Sequence, residues 1–218
     1  STRTRRLTAA RRLASTLGIT MEADSPISPP YEAFYIESML FNSSSAVRSI
    51  LRLEAVFGKL PDCPTIEDVE QLPTKLILNE LQNMIVHAGA LSRYFWPVRT
   101  DHKPRGKLLC NYFAMTEDSP LFNRALRNAI EHFDERIDKY FSQGAVGYFF
   151  PEYVGLKPED DGVPGHFFRA FFVDTGEFGL LDEEFLMEPV ANEILFVHAH
   201  LEKMSTEGGR FQVAERNA

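Results

Sequence analysis

Leu126–Arg136, LRNAIEHFDER, lies in the middle of an apolar repeat whose reading decides the fold. Phe122, Leu126, Ala129, Ile130, Phe133, Ile137, Tyr140 and Phe141 recur with the 3.6-residue period of a helix, and Asp118, Ser119 and Pro120 supply start signals just before them. One continuous helix is expected from about Phe122 to Phe141. On a wheel of about 100° per residue centred on Leu126, Arg127 lies about 100° to one side and His132 about 120° to the other. Neither enters the buried stripe. Asn128 and His132, four apart, share an outer face, whereas Arg127 falls beside Glu131 and Asp134 on the opposite shoulder. Two polar shoulders point to a second helix meeting this one. A two-fold dimer, which uses the same patch twice, would supply it. The opposing reading is an ordinary solvated surface, on which Glu135 and Lys139 form an i,i+4 pair in the favourable order.

Working outward, the same periodicity predicts three more helices. ADSPISPP, Ala23 to Pro30, is a proline-punctuated linker, and the fold proper is expected from Tyr31. A first helix runs to about Phe57 through Phe34, Ile36, Met39, Leu40, Val47, Ile50, Leu51 and Val56. After a short helical turn at Thr65–Leu72 and the break at Pro73, a second long helix reaches about Phe95. Beyond Gln143 the composition turns to glycine, proline and aromatics. GAVGYFFPEYVGLKPEDDGVPG reads as extended chain and loop. HFFRAFFVDTGEFGLL, about residues 166–181, reads as a small β-hairpin turning at Asp174-Thr175-Gly176. A last helix is expected from Asp182 to about Lys203, with Pro189 tolerated near its start. The division is a flexible basic and proline-rich segment over 1–30, one helical domain over 31–204, and a flexible tail over 205–218.

With 218 residues, 44% of them apolar, the chain can bury one sizeable core. Its formal charge of −8 argues against nonspecific nucleic-acid coating, because affinity for phosphate comes chiefly from clustered Lys and Arg. The charge is unevenly spread. Residues 1–20 hold five arginines and no acid, leaving −13 for the rest. With Met21 as the start, that stretch is an upstream remnant; otherwise it is a basic arm touching RNA. Two cysteines, Cys63 and Cys110, are too few for a disulfide framework, which fits a reducing compartment. No apolar run reaches membrane-span length and no charged-then-apolar leader pattern is visible, so a cytoplasmic protein with no membrane association is expected.

A second basic feature precedes the motif helix. In the connection expected from Pro97 to Pro120, the stretch Arg93–Lys107 carries Arg93, Arg99, Lys103, Arg105 and Lys107 against Asp101 alone, beside Tyr94, Phe95 and Trp96. Cations with aromatics suit single-stranded RNA, whose phosphates need charge and whose unstacked bases need flat partners. Arg99, Lys103, Arg105 and Lys107 are the candidate RNA contacts. A solvated loop after a core aromatic cluster is the competing reading.

Arg127, the polar Asn128 directly after it, and His132 after four intervening positions form the single R-x(4–6)-H match in the chain. On a helix in an all-helical neighbourhood, this resembles the signature of HEPN domains, whose catalytic members are metal-independent ribonucleases. The motif covers Leu126–Arg136; the architectural likeness covers about residues 31–204. The resemblance implies a mainly α fold, a HEPN-like four-helix bundle with a small β-hairpin inserted before the last helix, similar to hairpin-bearing bacterial defence and abortive-infection members. It implies RNA cleavage by the ribose 2′-hydroxyl to a 2′,3′-cyclic phosphate. His132 would move protons, Arg127 would stabilise the phosphorane and Asn128 would orient one of the two, with neither metal nor cofactor. It also implies a homodimer and, in some systems, a nucleotidyltransferase-type antitoxin as partner. The alternative is a non-catalytic dimeric HEPN-like module that binds a protein partner or a nucleotide.

The remaining candidates are weaker. His198 and His200 diverge on a helix, and no acid or cysteine cluster completes a metal site around them. His87, four after Asn83, reads as a satisfied bundle histidine, and His166 and Arg169 as hairpin surface. No glycine-rich phosphate-binding loop is present.

Overall fold

The computed structural model describes residues 26–144, 146–159 and 162–211, excepting the side chains of Pro29 and Arg127. The basic segment at residues 1–20 lies outside them. The described chain is mainly helical, with two small sheets between the sixth helix and the seventh. Helix α1 (Pro29–Phe57) begins on its two prolines rather than after them, because an N–H missing in the first turn costs no helix bond. Ile27, within the expected linker, is already buried in the core. The short α2 (Ile66–Glu70) is closed by a capping box in which Thr65 and Asp68 each satisfy the other's backbone N–H. Helix α3 (Thr74–Phe95) follows Pro73 as expected.

Helices α1 and α3 form the central layer. Met39, Ile77, Leu81, Met84 and Leu91 are essentially inaccessible, and each such side chain contributes on the order of 1.5–3 kcal/mol. One charged group lies in this interface. Ser49 Oγ donates to Glu80 Oε2 at 2.7 Å and Arg52 Nη1 to Glu80 Oε1 at 2.7 Å. Burial pushes the Glu80 carboxyl up, but the hydrogen bonds from Ser49 and Arg52, the Arg52 charge and Asn83 outweigh it, leaving the group below its ordinary range.

The basic connection differs from expectation. A 3₁₀ turn (Thr100–His102) leads into helix α4 (Lys103–Phe113), where a loop is predicted. Pro104 sits in its first turn, where a missing N–H costs no helix bond, but Gly106 in its middle is a poor helix signal. Packing explains the glycine: a Cβ there would lie 2.4 Å from the Phe95 carbonyl oxygen and 2.6 Å from Pro97 Cδ. The close approach lets α4 rest on the end of α3, with Leu109 and Phe113 buried. Tertiary contact thus overrides local propensity.

The motif helix is also two helices. Ser119 caps a 3₁₀ turn (Pro120–Phe122), and Asn123 caps α5 (Arg124–Glu131), its side chain accepting from Ala125 N at 2.9 Å. Helix α6 (Phe133–Ser142) follows after a break at His132, whose φ of −117° and ψ of 33° leave the helical region.

Six short strands then replace the single hairpin. Strand β1 (Tyr148–Phe150) pairs in parallel with β3 (Gly165–Phe167), and β2 (Tyr153–Gly155) in parallel with β4 (Ala170–Phe172), each partner lying 17 residues on. Antiparallel β5 (Glu177–Leu180) and β6 (Glu183–Leu186) complete a sheet in the order β2-β4-β5-β6. The predicted hairpin survives as β4 and β5, turning through Gly176. Glu183 and Glu184, read as the opening turn of the last helix, form β6 instead, and α7 (Met187–Glu207) begins after them with Pro189 in its first turn.

Helix α7 packs on α1, burying Ile194, Val197 and Leu201. It ends on Gly208 at φ 70°, and the chain turns back rather than trailing away. Phe211 is buried against Tyr112 and Phe113, while its N–H and the Arg210 guanidinium reach the buried Glu32 carboxylate. Ser205–Phe211, read as the start of a tail, therefore belongs to the packed structure; residues 212–218 lie outside the described ones.

Ser49→Ala should cost about 1–3 kcal/mol by urea denaturation at neutral pH, since it strips a donor from a buried carboxylate. Because the folded Glu80 pKa is depressed, its stabilisation is present above the ordinary carboxylate range and is lost as pH falls through the folded value. The gap between variant and wild type should narrow over that acid interval.

Candidate functional site

The polar groups of the motif gather at the α5–α6 joint. Leu126 and Ala129 are buried with the helical layer, fixing α5. Helix α6 is fixed by the sheet: Arg136 donates to both carboxylate oxygens of Glu183 at 2.8 and 2.9 Å, Tyr140 shares a hydrogen bond with His166, and the Arg169 guanidinium lies 4.3 Å from the centre of the Phe133 ring. The hydrogen bonds to Glu183 and the surrounding negative charge hold the Arg136 pKa above its ordinary value against the opposing effect of burial. His166 also stacks on Phe149 at 4.8 Å. His166 and Arg169, read as hairpin surface, are the groups that attach α6 to the sheet.

At the joint the backbone stays connected, His132 N donating to Asn128 O and Arg136 N to His132 O. Asn128 and His132 accordingly remain one turn apart and both are exposed, as the wheel implies. The imidazole is 57% exposed, and its Nδ1 lies 3.6 Å from Glu135 Oε2. Glu135 was paired with Lys139 in the sequence reading; its i,i+3 spacing from His132 is the signal for the contact found. Beside them, Arg93 Nη2 at the end of α3 donates to Glu131 Oε1 at 2.7 Å. Sequence reasoning placed Arg127 next to Glu131 and missed Arg93, which is remote in the chain. The Arg127 backbone belongs to α5; its side chain is outside the described atoms. An exposed imidazole, a neighbouring carboxylate and an amide side chain can relay a proton and orient a polar ligand.

The proposed RNA contacts divide. Arg99, Lys103 and Lys107 are exposed, with Lys103 and Lys107 one turn apart on α4. Arg105 points inward: its Nη2 donates to the Arg93 carbonyl at 3.2 Å, and its guanidinium lies 5.7 and 5.8 Å from the Tyr35 and Tyr94 ring centres. The adjacent aromatics are also turned into the fold. Phe95 is buried and Trp96 packs edge-on to Phe122, so the aromatic part of the expected base-stacking platform is occupied by the protein itself.

His87, His198 and His200 have structural partners. His87 Nδ1 is 3.2 Å from Asn42 Oδ1, and burial pulls its pKa down. His198 meets Ser43 Oγ at 3.0 Å and Glu202 at 3.3 Å; His200 meets the Phe196 carbonyl at 2.8 Å. Among the described residues no group of three or more His, Cys, Asp or Glu is placed to hold a metal ion, and no helix is long and apolar enough to cross a membrane. Cys63 is exposed and Cys110 half-buried, both unbridged; burial pushes the Cys110 thiol up. No family model matches the chain, and comparisons with curated proteins and with solved structures find no match.

Arg105→Ala should lower stability by about 1–2 kcal/mol, through lost ring contacts and stem packing. Lys103→Ala, on the exposed face, should change it by less than about 0.5 kcal/mol. Urea denaturation of the two variants separates the inward cation from the outward one.

Proposed function

We propose that this chain is a metal-independent endoribonuclease of HEPN type, built on a HEPN-like helical bundle and acting in the cytoplasm as a homodimer. The observation that carries the reading is the helix break at His132, which leaves an imidazole open to solvent one turn from Asn128 and beside a carboxylate. RNA brings its own nucleophile, so the protein has only to move protons and stabilise charge. In this mechanism one His132 takes the 2′-hydroxyl proton as the oxygen attacks phosphorus. The partner copy's His132 protonates the departing 5′-oxygen, leaving a 2′,3′-cyclic phosphate. Glu135 holds the imidazole ring through Nδ1, and Asn128 orients the phosphate. Arg127 supplies the permanent positive charge for the pentacovalent state. Arg99, Lys103 and Lys107 guide the RNA backbone, a smaller set than the sequence implies, because Arg105 is used internally. A toxin or phage-defence effector fits this chemistry, with an antitoxin as a protein partner.

The withdrawal of Arg105, Phe95 and Trp96 into the fold favours a second reading, a non-catalytic dimeric module that holds a partner through its surface. Wild type, Arg127→Ala and His132→Ala, each with its oligomeric state measured, are incubated with mixed RNA in EDTA and the fragment ends are identified. Ribonuclease action predicts cyclic-phosphate ends from wild type and a loss of about 100-fold or more in either variant with the dimer intact. Undiminished cutting by His132→Ala, or an inert wild type, would overturn the reading.

A further inference from the structure

The sheet end of the molecule holds a cleft of about 680 Å³ that is independent of the helix joint and of any ribonuclease reading. That volume lies within the roughly 300–1,000 Å³ typical of small-molecule sites. Its wall follows from strand alternation. Tyr148 and Phe150 on β1 face the cleft, while Phe149 between them turns away to stack on His166. Phe167 on β3 lies parallel to Phe150 at 4.7 Å and 8°, and Phe172 on β4 continues the wall. Tyr148 is 57% exposed, so its ring is open to an incoming ligand.

Charge decides what can enter. Among the described residues Lys157 is the one cation lining the cleft, and two carboxylates already hold it, Glu177 at 2.8 Å and Glu184 at 2.7 Å. Glu159 and Asp182 add two more negative charges to the lining. Counting nearby Arg136 with its partner Glu183, five carboxylates face two cations among the described residues, a local surplus of −3. An anionic ligand is disfavoured. A cation is favoured twice over, by the carboxylates and by the negative faces of the rings. The protein itself illustrates the second preference: the Lys157 ammonium sits 5.3 Å from the centre of the Phe172 ring.

We propose that this cleft binds a small organic cation, an amine or quaternary ammonium carrying an apolar body, with its charge against the Tyr148–Phe150–Phe167 wall and the carboxylates of Asp182 and Glu159 opposite. The neutral body would lie along the rings, and the Lys157–Glu184 pair would close the far side.

Isothermal titration of the full chain with benzyltrimethylammonium and choline, against the neutral 3,3-dimethylbutan-1-ol and the anion benzoate, tests this. One saturable site is expected for the ammonium probes, with the neutral isostere of choline at least about tenfold weaker than choline and benzoate without measurable binding. Tyr148→Ala, Asp182→Asn and Glu159→Gln, all at exposed positions and each checked for native circular dichroism, should each weaken benzyltrimethylammonium by about tenfold. The proposal fails if neither ammonium probe binds at millimolar concentration, if the alcohol or benzoate binds as tightly as the cations, or if cation binding is unchanged in all three variants.

Discussion

The apolar seam between α1 and α3 carries the rest of the molecule. Three other helices gain their place from it: α7 lies along α1, α4 rests on the end of α3, and α5 buries Leu126 and Ala129 beside it. A seam this dry tolerates a carboxylate only when its oxygens are answered, and Glu80 is held by one hydroxyl and one guanidinium from the facing helix. The pair of contacts also sets the register of α1 against α3, since Ser49 and Arg52 are one turn apart and meet the same side chain.

The sheet end is organised differently. Helix α6 has no fully buried residue, and it is attached by a bidentate ion pair, a cation over a ring and a chain of aromatic contacts. A segment with two such unlike neighbours cannot present one straight stripe to both. The break at His132 reconciles them: α5 follows the helical layer, α6 follows the sheet, and the residue between them is turned toward solvent. Exposure of the imidazole is thus a consequence of how the chain crosses from one layer to the other.

The two surfaces available for chemistry lie at opposite extremes of character. The helix joint is polar, open and rich in groups that exchange protons or make hydrogen bonds. The cleft beside β1 and β3 is aromatic, partly enclosed and negatively charged, with its lining Lys157 already neutralised.

Helix existence was legible from periodicity wherever a segment packs along its whole length, as α1, α3 and α7 do, and the Asp174–Gly176 turn was legible from its residue types. The outward placement of Asn128 and His132 could be read in the same way, because a four-residue spacing survives a local bend. What tertiary structure alone decided depends on contacts between distant residues. Gly106 makes α4 possible by meeting the Phe95 carbonyl, Glu183 pairs with Leu180 of β5 and so becomes strand rather than helix, and Arg93 reaches Glu131 across 38 residues. Arg105 shows the same limit in one side chain. Its charge was plain in the sequence, but whether that charge faced solvent or two tyrosines was set by packing, and no local pattern encodes which neighbours a folded chain will bring together.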